Sequence, residues 1–456
     1  MDDAGRWDEA IGSFLHSYTG DGTQIDSSRV QPGITAFLVR SFDGAALQFS
    51  FPVVVQRNLP AEIALDPAGA DGAAATLIER VKGQAESVPA LGPLYGKGVP
   101  GSQRYRDTIE PYTVIHSDET LASHLWKADA RNFCDCEGIH VILRGAMPCP
   151  DGDGRRQVAD ALGGLADAVG TIVEKTPARV VDASWLASLD QKRLRRGLRE
   201  RGLVAFVADG SKLARTLTHH RCFFRVAGPK TGVNIPFCCP VELDPVELGL
   251  PASGGTVTGL GIRQREVLAI AGSNAQGKST FLEGILAGRD DHAPHDGREL
   301  VVTARGACTA ESTTMGLAGA DISMFFSTLP PGVSGTVRSV HGMGSGSMTM
   351  AWQVQSAIAR HAPLLIIDED RAAPNLLVKS CLQKEEITPL SEILFHDRTK
   401  MGDTALVFAA CAMDTLIARA DRIMVLDRHE ASAIDTGEFR RMLAETLRKT
   451  ADGLEK

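Results

Sequence analysis

Two rhythms of apolar and polar positions run along this chain and mark out its elements. In the first half, Ile139–Leu143 reads as a strand. A turn at Pro148–Gly154 follows, then an amphipathic helix from about Arg155 to Val173. Ser184–Arg201 has helical spacing, and Leu203–Ala208 is a continuous apolar run, ending in Asp209-Gly210, that predicts a buried strand. Pro60–Ala75 and Gly92–Gln103 are rich in Ala, Gly and Pro and read as loops. In the second half the order is more regular. Thr256–Ile262 and Glu266–Ala271 read as strands joined by the polar turn Arg263-Gln264-Arg265, and a helix spans Lys278–Leu286. Thr349–His361 is compatible with a helix, and Leu364–Ile367, Ala405–Ala409 and Arg422–Leu426 read as further strands. Strands alternating with helices predict a largely parallel sheet covered on both faces. The last eight residues are polar and are expected to fray.

Composition narrows the function classes. At 456 residues the chain is too long for one compact core. It has 43% apolar and 23% charged residues and no apolar run of about 18 residues, so no membrane partner is expected. Its first residues, Met1 to Arg6, are acidic rather than Arg-rich, which makes a cytoplasmic location the expectation. Nine cysteines, odd in number and irregular in spacing, do not form a disulfide framework. Cys134-Asp135-Cys136 and Cys238-Cys239 lack the spacing usual for zinc, and His219-His220-Arg221-Cys222 is a weak ligand cluster. A net charge of −8 argues against wholesale attraction to nucleic acid, while leaving room for a local basic patch.

Gly272-Ser273-Asn274-Ala275-Gln276-Gly277-Lys278-Ser279, with Thr280 after it, fits a P-loop and stands where one must, between a predicted strand and a predicted helix. Its glycines let backbone N–H groups wrap phosphates, and the helix N-terminus adds positive partial charge. Lys278 is placed to reach the β- and γ-phosphates of ATP, and the Ser279 hydroxyl to reach Mg²⁺. Leu364-Leu365-Ile366-Ile367-Asp368-Glu369 is the matching Walker B strand: Asp368 for the Mg²⁺ shell, Glu369 for the attacking water. A base beside the metal acid favours hydrolysis over phosphoryl transfer to a metabolite. The catalytic set is therefore Glu369, Lys278 and Asp368.

Between these motifs lies Gly344-Ser345-Gly346-Ser347, and Gly346 precedes Asp368 by 22 residues. That interval holds a short loop, a helix and a strand, the layout of an ABC signature motif. The chain resembles the family of predicted ATPases of the ABC class. The resemblance is carried by the P-loop and Walker B, by Leu203–Ser211, and by Gly254-Gly255-Thr256-Val257 through Gly259–Ile262. Asp296–Thr303, Asp321-Ile322-Ser323 and Asp368-Glu369-Asp370 also carry it. It implies an α/β chain with an N-terminal mixed α/β region over 1–245, with room for two subdomains, and an ABC-type P-loop ATPase domain over 246–456. It further implies a head-to-tail homodimer on ATP binding, in which Ser345, Gly346 and Ser347 contact the γ-phosphate bound by the other copy. The family includes a kinetoplastid member associated with mitochondrial RNA processing, which makes RNA a candidate partner and the mitochondrial matrix an alternative location.

Several departures point to slow turnover. No glutamine occurs between Ser279 and Gly344, and Ala409-Ala410-Cys411-Ala412 stands where a sensing histidine is usual. Arg371-Ala372-Ala373-Pro374 replaces small polar residues, and Met350 replaces a common glutamine. No aromatic residue stands just before the Glu266–Ala271 strand to stack on adenine; Phe237 is the nearest. Gln191–Arg201 carries Lys192, Arg193, Arg195, Arg196, Arg199 and Arg201 against the single acid Glu200, with Leu194 and Leu198 predicted to face a core. This helix is either a phosphate-tracking surface or a solvated face. Two functions follow: an ATPase coupled to RNA binding or remodelling, or an ATP-gated dimerisation protein with weak hydrolysis and no nucleic-acid ligand.

Overall fold

The apolar runs become strands, and alternate side chains of the central ones fill two opposite cores. The structure, a computed structural model, describes residues 37–40, 44–55, 67–85, 87–99, 112–115, 125–128, 133–134, 139–150, 154–217, 224–226, 235–292, 294–295, 297–383 and 386–455. The described residues fall into two compact units. One is drawn from Met1–Thr113, Lys127–Leu189 and Leu217–Arg225, the other from Val114–Trp126, Asp190–Thr216 and Val226–Lys456.

The first part of the chain contains β1 (Phe37–Arg40), β2 (Ala46–Val55), β3 (Tyr112–Ile115), β4 (Leu125–Ala128), β5 (Phe133–Cys134) and β6 (Ile139–Pro148). Its helices are α1 (Ala70–Gly83), α2 (Arg155–Lys175) and α3 (Ala178–Gly197). An antiparallel sheet runs in the order β1-β2-β6-β5, and β2 pairs with β6 from Ala46 opposite Pro148 to Val55 opposite Ile139. Phe49 and Leu143 of this sheet share one core with Leu77 and Ile78 of α1 and Leu162 and Val169 of α2. Helix α1 corrects the loop expected over Pro60–Ala75 from Ala70 onward, residues 60–66 lying outside the described residues. Its alanines are the strongest helix formers, and Gly72 lets the helix approach α3 so closely that a Cβ there would meet the Ser184 carbonyl at 2.6 Å.

The second part of the chain contains β7 (Leu203–Ala208), β8 (Arg215–Leu217), β9 (Phe224–Val226), β10 (Val246–Gly249), β11 (Thr256–Arg263), β12 (Val267–Ala271) and β13 (Val301–Thr303). After them come β14 (Cys308–Thr309), β15 (Met315–Ala320), β16 (Ser334–Thr336), β17 (Ser339–Gly344), β18 (Leu364–Asp368), β19 (Ala405–Ala410), β20 (Arg422–Asp427) and β21 (Glu430–Ile434). The helices are α4 (Lys278–Ala287), α5 (Gly346–Ala359), α6 (Pro374–Leu377), α7 (Leu390–His396), α8 (Asp414–Ile417) and α9 (Thr436–Leu454).

The central sheet has the order β14-β18-β19-β12-β20-β21; every pair is parallel except β20–β21, as the strand–helix alternation predicts. Period-two alternation sends Leu268, Ile270, Leu364, Ile366, Val407 and Met424 to one face. There they pack with Phe281, Leu282, Ile285 and Leu286 of α4 and with a second, antiparallel sheet ordered β10-β11-β7-β13. Helix α4 is thus held between two sheets. The opposite face presents Val267, Ala269, Leu365, Ile367, Leu406 and Phe408 to Met350, Ala351 and Val354 of α5. The polar C-terminus does not fray as expected. Asp435 caps α9 by accepting from the Glu438 N–H at 2.8 Å, and the helix continues to Leu454. Among the described residues, no helix is long and apolar enough to cross a membrane.

Candidate nucleotide site

The loop after β12 goes where only glycine can lead it. Gly272 has φ 136°, and a Cβ there would collide with the Leu426 carbonyl of β20. Gly277 has φ 95°, and a Cβ would press on the His429 imidazole at 3.2 Å. Ala275 is also left-handed, at φ 61°. Neighbouring residues brace the loop: the Gln276 side-chain carbonyl accepts from the Arg428 N–H. Ser273, Asn274 and Ala275 are exposed, while Ser279 and Thr280 in the first turn of α4 are half-buried. Lys278, 8% exposed, turns its ammonium back to donate to the carbonyls of Gly272 at 2.7 Å and Ser273 at 2.8 Å.

Strand order brings the acids to the same sheet edge. Asp368 ends β18 opposite Ala409 of β19, and Ala409 pairs in turn with Ile270, just before the P-loop. The carboxyl ends of adjacent parallel strands form the crevice in which open α/β sheets bind ligands. Asp368 is 3% exposed. Its Oδ1 accepts from the Asp370 N–H at 3.4 Å, but Oδ2 is buried without a partner. A buried carboxylate oxygen left unsatisfied is costly, and a hard divalent cation with oxygen ligands would satisfy it. The donor set of Asp368 and Ser279 therefore fits Mg²⁺. Glu369 follows, half-buried, and its Oε2 accepts from two main-chain N–H groups, that of Cys411 and that of Ala412 at 3.3 Å. Glu283 of α4 lies within range of these charges. Burial raises its carboxyl pKa above 4.5, Arg298 and Arg371 pull it down, and Asp368 adds to the rise.

Helix α5 begins at the signature-like turn. Ser345 is its N-cap with φ −65° and ψ 163°, yet the side chain makes no capping bond and is exposed. The Ser347 hydroxyl donates to Asn375 Oδ1 at 2.9 Å. Gly346 is packed so tightly that a Cβ would collide with the Ser312 hydroxyl. Ser312 in turn donates its N–H to the Arg371 carbonyl at 2.8 Å. Two residues earlier the Ala310 N–H donates to Ile366 of β18, and the Glu311 N–H donates to Gln353 Oε1 of α5 at 2.6 Å. Residues 310–312 thus tie β18, the turn after it and α5 together. They do so without a glutamine side chain of their own. Glu311, two residues past β14, is 2% exposed, and no residue type in this stretch signals its place.

The basic helix requires a correction. Arg195 does not lie on a phosphate-tracking surface: it is 8% exposed and donates to the Gly288 carbonyl at 3.1 Å, the Asp290 carbonyl at 3.0 Å and the Asp291 carboxylate at 2.7 Å. Lys192 pairs with the same carboxylate at 3.4 Å. Since Gly288 caps the C-terminus of α4, the Arg195 cation sits at the negative end of the P-loop helix. Arg193 donates to the Pro251 carbonyl and Arg201 to that of Gly197, both at 3.0 Å; both are exposed, as are Arg196 and Arg199. Leu194 and Leu198 are buried, as their spacing predicts. Phe237 is not open to a base. It is buried edge-on against Phe281 of α4, with ring centroids 5.1 Å apart. His219–Cys222 and residues 135–136 lie outside the described residues, among which no cluster of metal-ligating side chains occurs.

A profile of the ABC_ATPase P-loop domain matches residues 177–454. The uncharacterized protein MJ1628 of Methanocaldococcus jannaschii is 39% identical over 377 residues, 82% of either chain. Similar solved structures include cbiO1 from Clostridium perfringens, part of the ABC transporter complex cbiONQ. It is 16% identical, covers 46% of this chain and 98% of its own, and has a TM-score of 0.30. A nucleotide-free ATP-binding cassette from an ABC transporter is 14% identical and covers 42% and 88%, with a TM-score of 0.27.

Proposed function

Because this chain belongs to the ABC-class P-loop ATPase family, we propose that it binds ATP with Mg²⁺ and hydrolyses it in a site completed by a second copy of itself. The meeting of the P-loop and the Asp368-Glu369 pair at one edge of the parallel sheet carries this reading. The N–H groups of Gly272–Ser279 cradle the phosphates, and Lys278 leaves its two carbonyl partners for the phosphate oxygens. Ser279 and Asp368 would hold Mg²⁺, which when bound offsets the phosphate charge. Glu369 is anchored through Oε2 and accepts a proton from water through Oε1. As the water oxygen bonds to the γ-phosphorus, the bond from that phosphorus to the β–γ bridging oxygen breaks. ADP and inorganic phosphate leave.

The signature-like turn supports the second copy. Ser345 is exposed with its hydroxyl unused by its own helix, and the N-terminal N–H groups of α5 lie beside it, a ready anion contact. Arg195 and Lys192 are engaged with Asp291, so any coupling to RNA through the basic helix rests on Arg193, Arg196, Arg199 and Arg201. ATP closure then acts as an assembly switch with hydrolysis as its reset. Glu369→Gln tests the chemistry: phosphate release should fall by about 10²-fold or more while ATP still binds. Hydrolysis at the parent rate would remove Glu369 as the base.

A further inference from the structure

The end of β19 and the two residues after it, Ala409, Ala410, Cys411 and Ala412, offer the site small side chains without a charge. Yet this loop touches the proposed base. The Cys411 and Ala412 N–H groups both donate to Glu369 Oε2, across 42 and 43 residues of sequence. Parallel pairing of β18 with β19 through Asp368 and Ala409 sets the two strand ends side by side, so the carboxylate of Glu369 meets the first free amides beyond β19.

We infer that the main-chain amides of Cys411 and Ala412 are positioning groups for catalysis. They fix Glu369 by one oxygen so that the other faces the attacking water. The inference rests on the hydrolytic reading above. A single-bonded carboxylate keeps its side-chain torsions free, whereas two donors on one oxygen select one orientation. The β19 loop then contributes through its backbone, and its side chains are free to be apolar and small. Because the Glu369 carboxylate is held by these two amides, a displacement of the loop would also turn the base. The loop and the end of β18 move as one part of the site.

Proline substitution deletes an amide hydrogen without adding a charge, so Ala412→Pro and Cys411→Pro are the variants to compare with Ala412→Gly, which keeps the N–H. Expected is a fall in kcat of about tenfold to a hundredfold in the proline variants, with KM for ATP little changed and kcat restored by glycine at 412. Parent-like kcat in both proline variants, or an equal loss with Ala412→Gly, overturns the inference. Should the proline variants fail to fold, amide hydrogen exchange decides instead. In Glu369→Ala, exchange at Cys411 and Ala412 should speed up by about tenfold while β19 itself stays protected. Unchanged exchange at those two amides overturns the inference as well. Failure of the base reading looks different: Glu369→Gln would then hydrolyse ATP at the parent rate, whatever the proline variants do.

Discussion

The ammonium of Lys278 donates to the carbonyl oxygen of Gly272, the residue that opens its own loop, at 2.7 Å. A second bond to Ser273 at 2.8 Å completes a closed arrangement in which the P-loop cation neutralises its own loop dipoles. Both bonds must break when a phosphate arrives, so the lysine exchanges two neutral acceptors for charged ones, which bind it more strongly. Lys278→Ala should therefore weaken ATP binding by at least about tenfold, or about 1.4 kcal/mol. An ATP titration followed by calorimetry measures this, and unchanged affinity would displace the phosphates from this loop.

Arg195 makes a different kind of prediction, one about stability. With side-chain exposures of 6% and 10%, Arg195 and Asp291 form a nearly dry pair, reinforced by bonds to the end of α4. Removing one partner of such a pair costs about 3–5 kcal/mol, because the other charge stays buried. Arg195→Gln should lower the stability of the unit containing the P-loop by that order. Arg196→Gln, on the exposed side of the same helix, should stay within about 0.5 kcal/mol of the parent. Urea unfolding of the two variants separates them, and equal stability would return Arg195 to the surface.

Glu283 gives a pH dependence whose sign is fixed. Burial, helped by the Asp368 charge, raises its carboxyl pKa in the folded protein above 4.5, against the pull of Arg298 and Arg371. A carboxyl raised on folding favours the native state while it is protonated, and that contribution is lost as pH rises from 4.5 through the raised value. At pH 7 the ionised form is therefore a cost. Glu283→Gln should melt at a higher temperature than the parent at pH 7, and the difference should shrink as pH falls below 4.5. A variant that melts lower at pH 7 would mean that Arg298 and Arg371 stabilise the ionised form more than burial opposes it.

The sequence made the P-loop and Walker B strand legible because each motif is local: glycines at forced turns, a lysine opening a helix, acids closing an apolar run. The parallel sheet was legible from the same strands, since β12, β18, β19 and β20 each appear as short apolar runs. What stayed hidden depends on distant partners. Arg195 could not be told from its exposed neighbours, because Asp291 lies 96 residues away. The Cys411 and Ala412 amides carry no side-chain signature at all. Residues 310–312 matter through backbone bonds to Ile366, Gln353 and Arg371, which no residue type at those positions announces. Alanine and glycine misled in the opposite direction at α1, where a composition typical of loops builds a helix packed through Gly72.

In the proposed assembly one ATP site is shared by two copies, the P-loop from one and the signature-like turn from the other. Two inactive variants test it directly when mixed. Lys278→Ala removes the phosphate cation, and Gly346→Asp places a carboxylate at the turn that would meet the γ-phosphate and displaces the Ser312 hydroxyl beside it. In a mixed pair, one site carries both defects, but the other combines an intact Lys278 with an intact Gly346. Phosphate release from the equimolar mixture should therefore recover a substantial share of the parent rate, although neither variant alone releases any. A mixture as inactive as its two components would place the P-loop and the turn in separate functions and contradict the shared site.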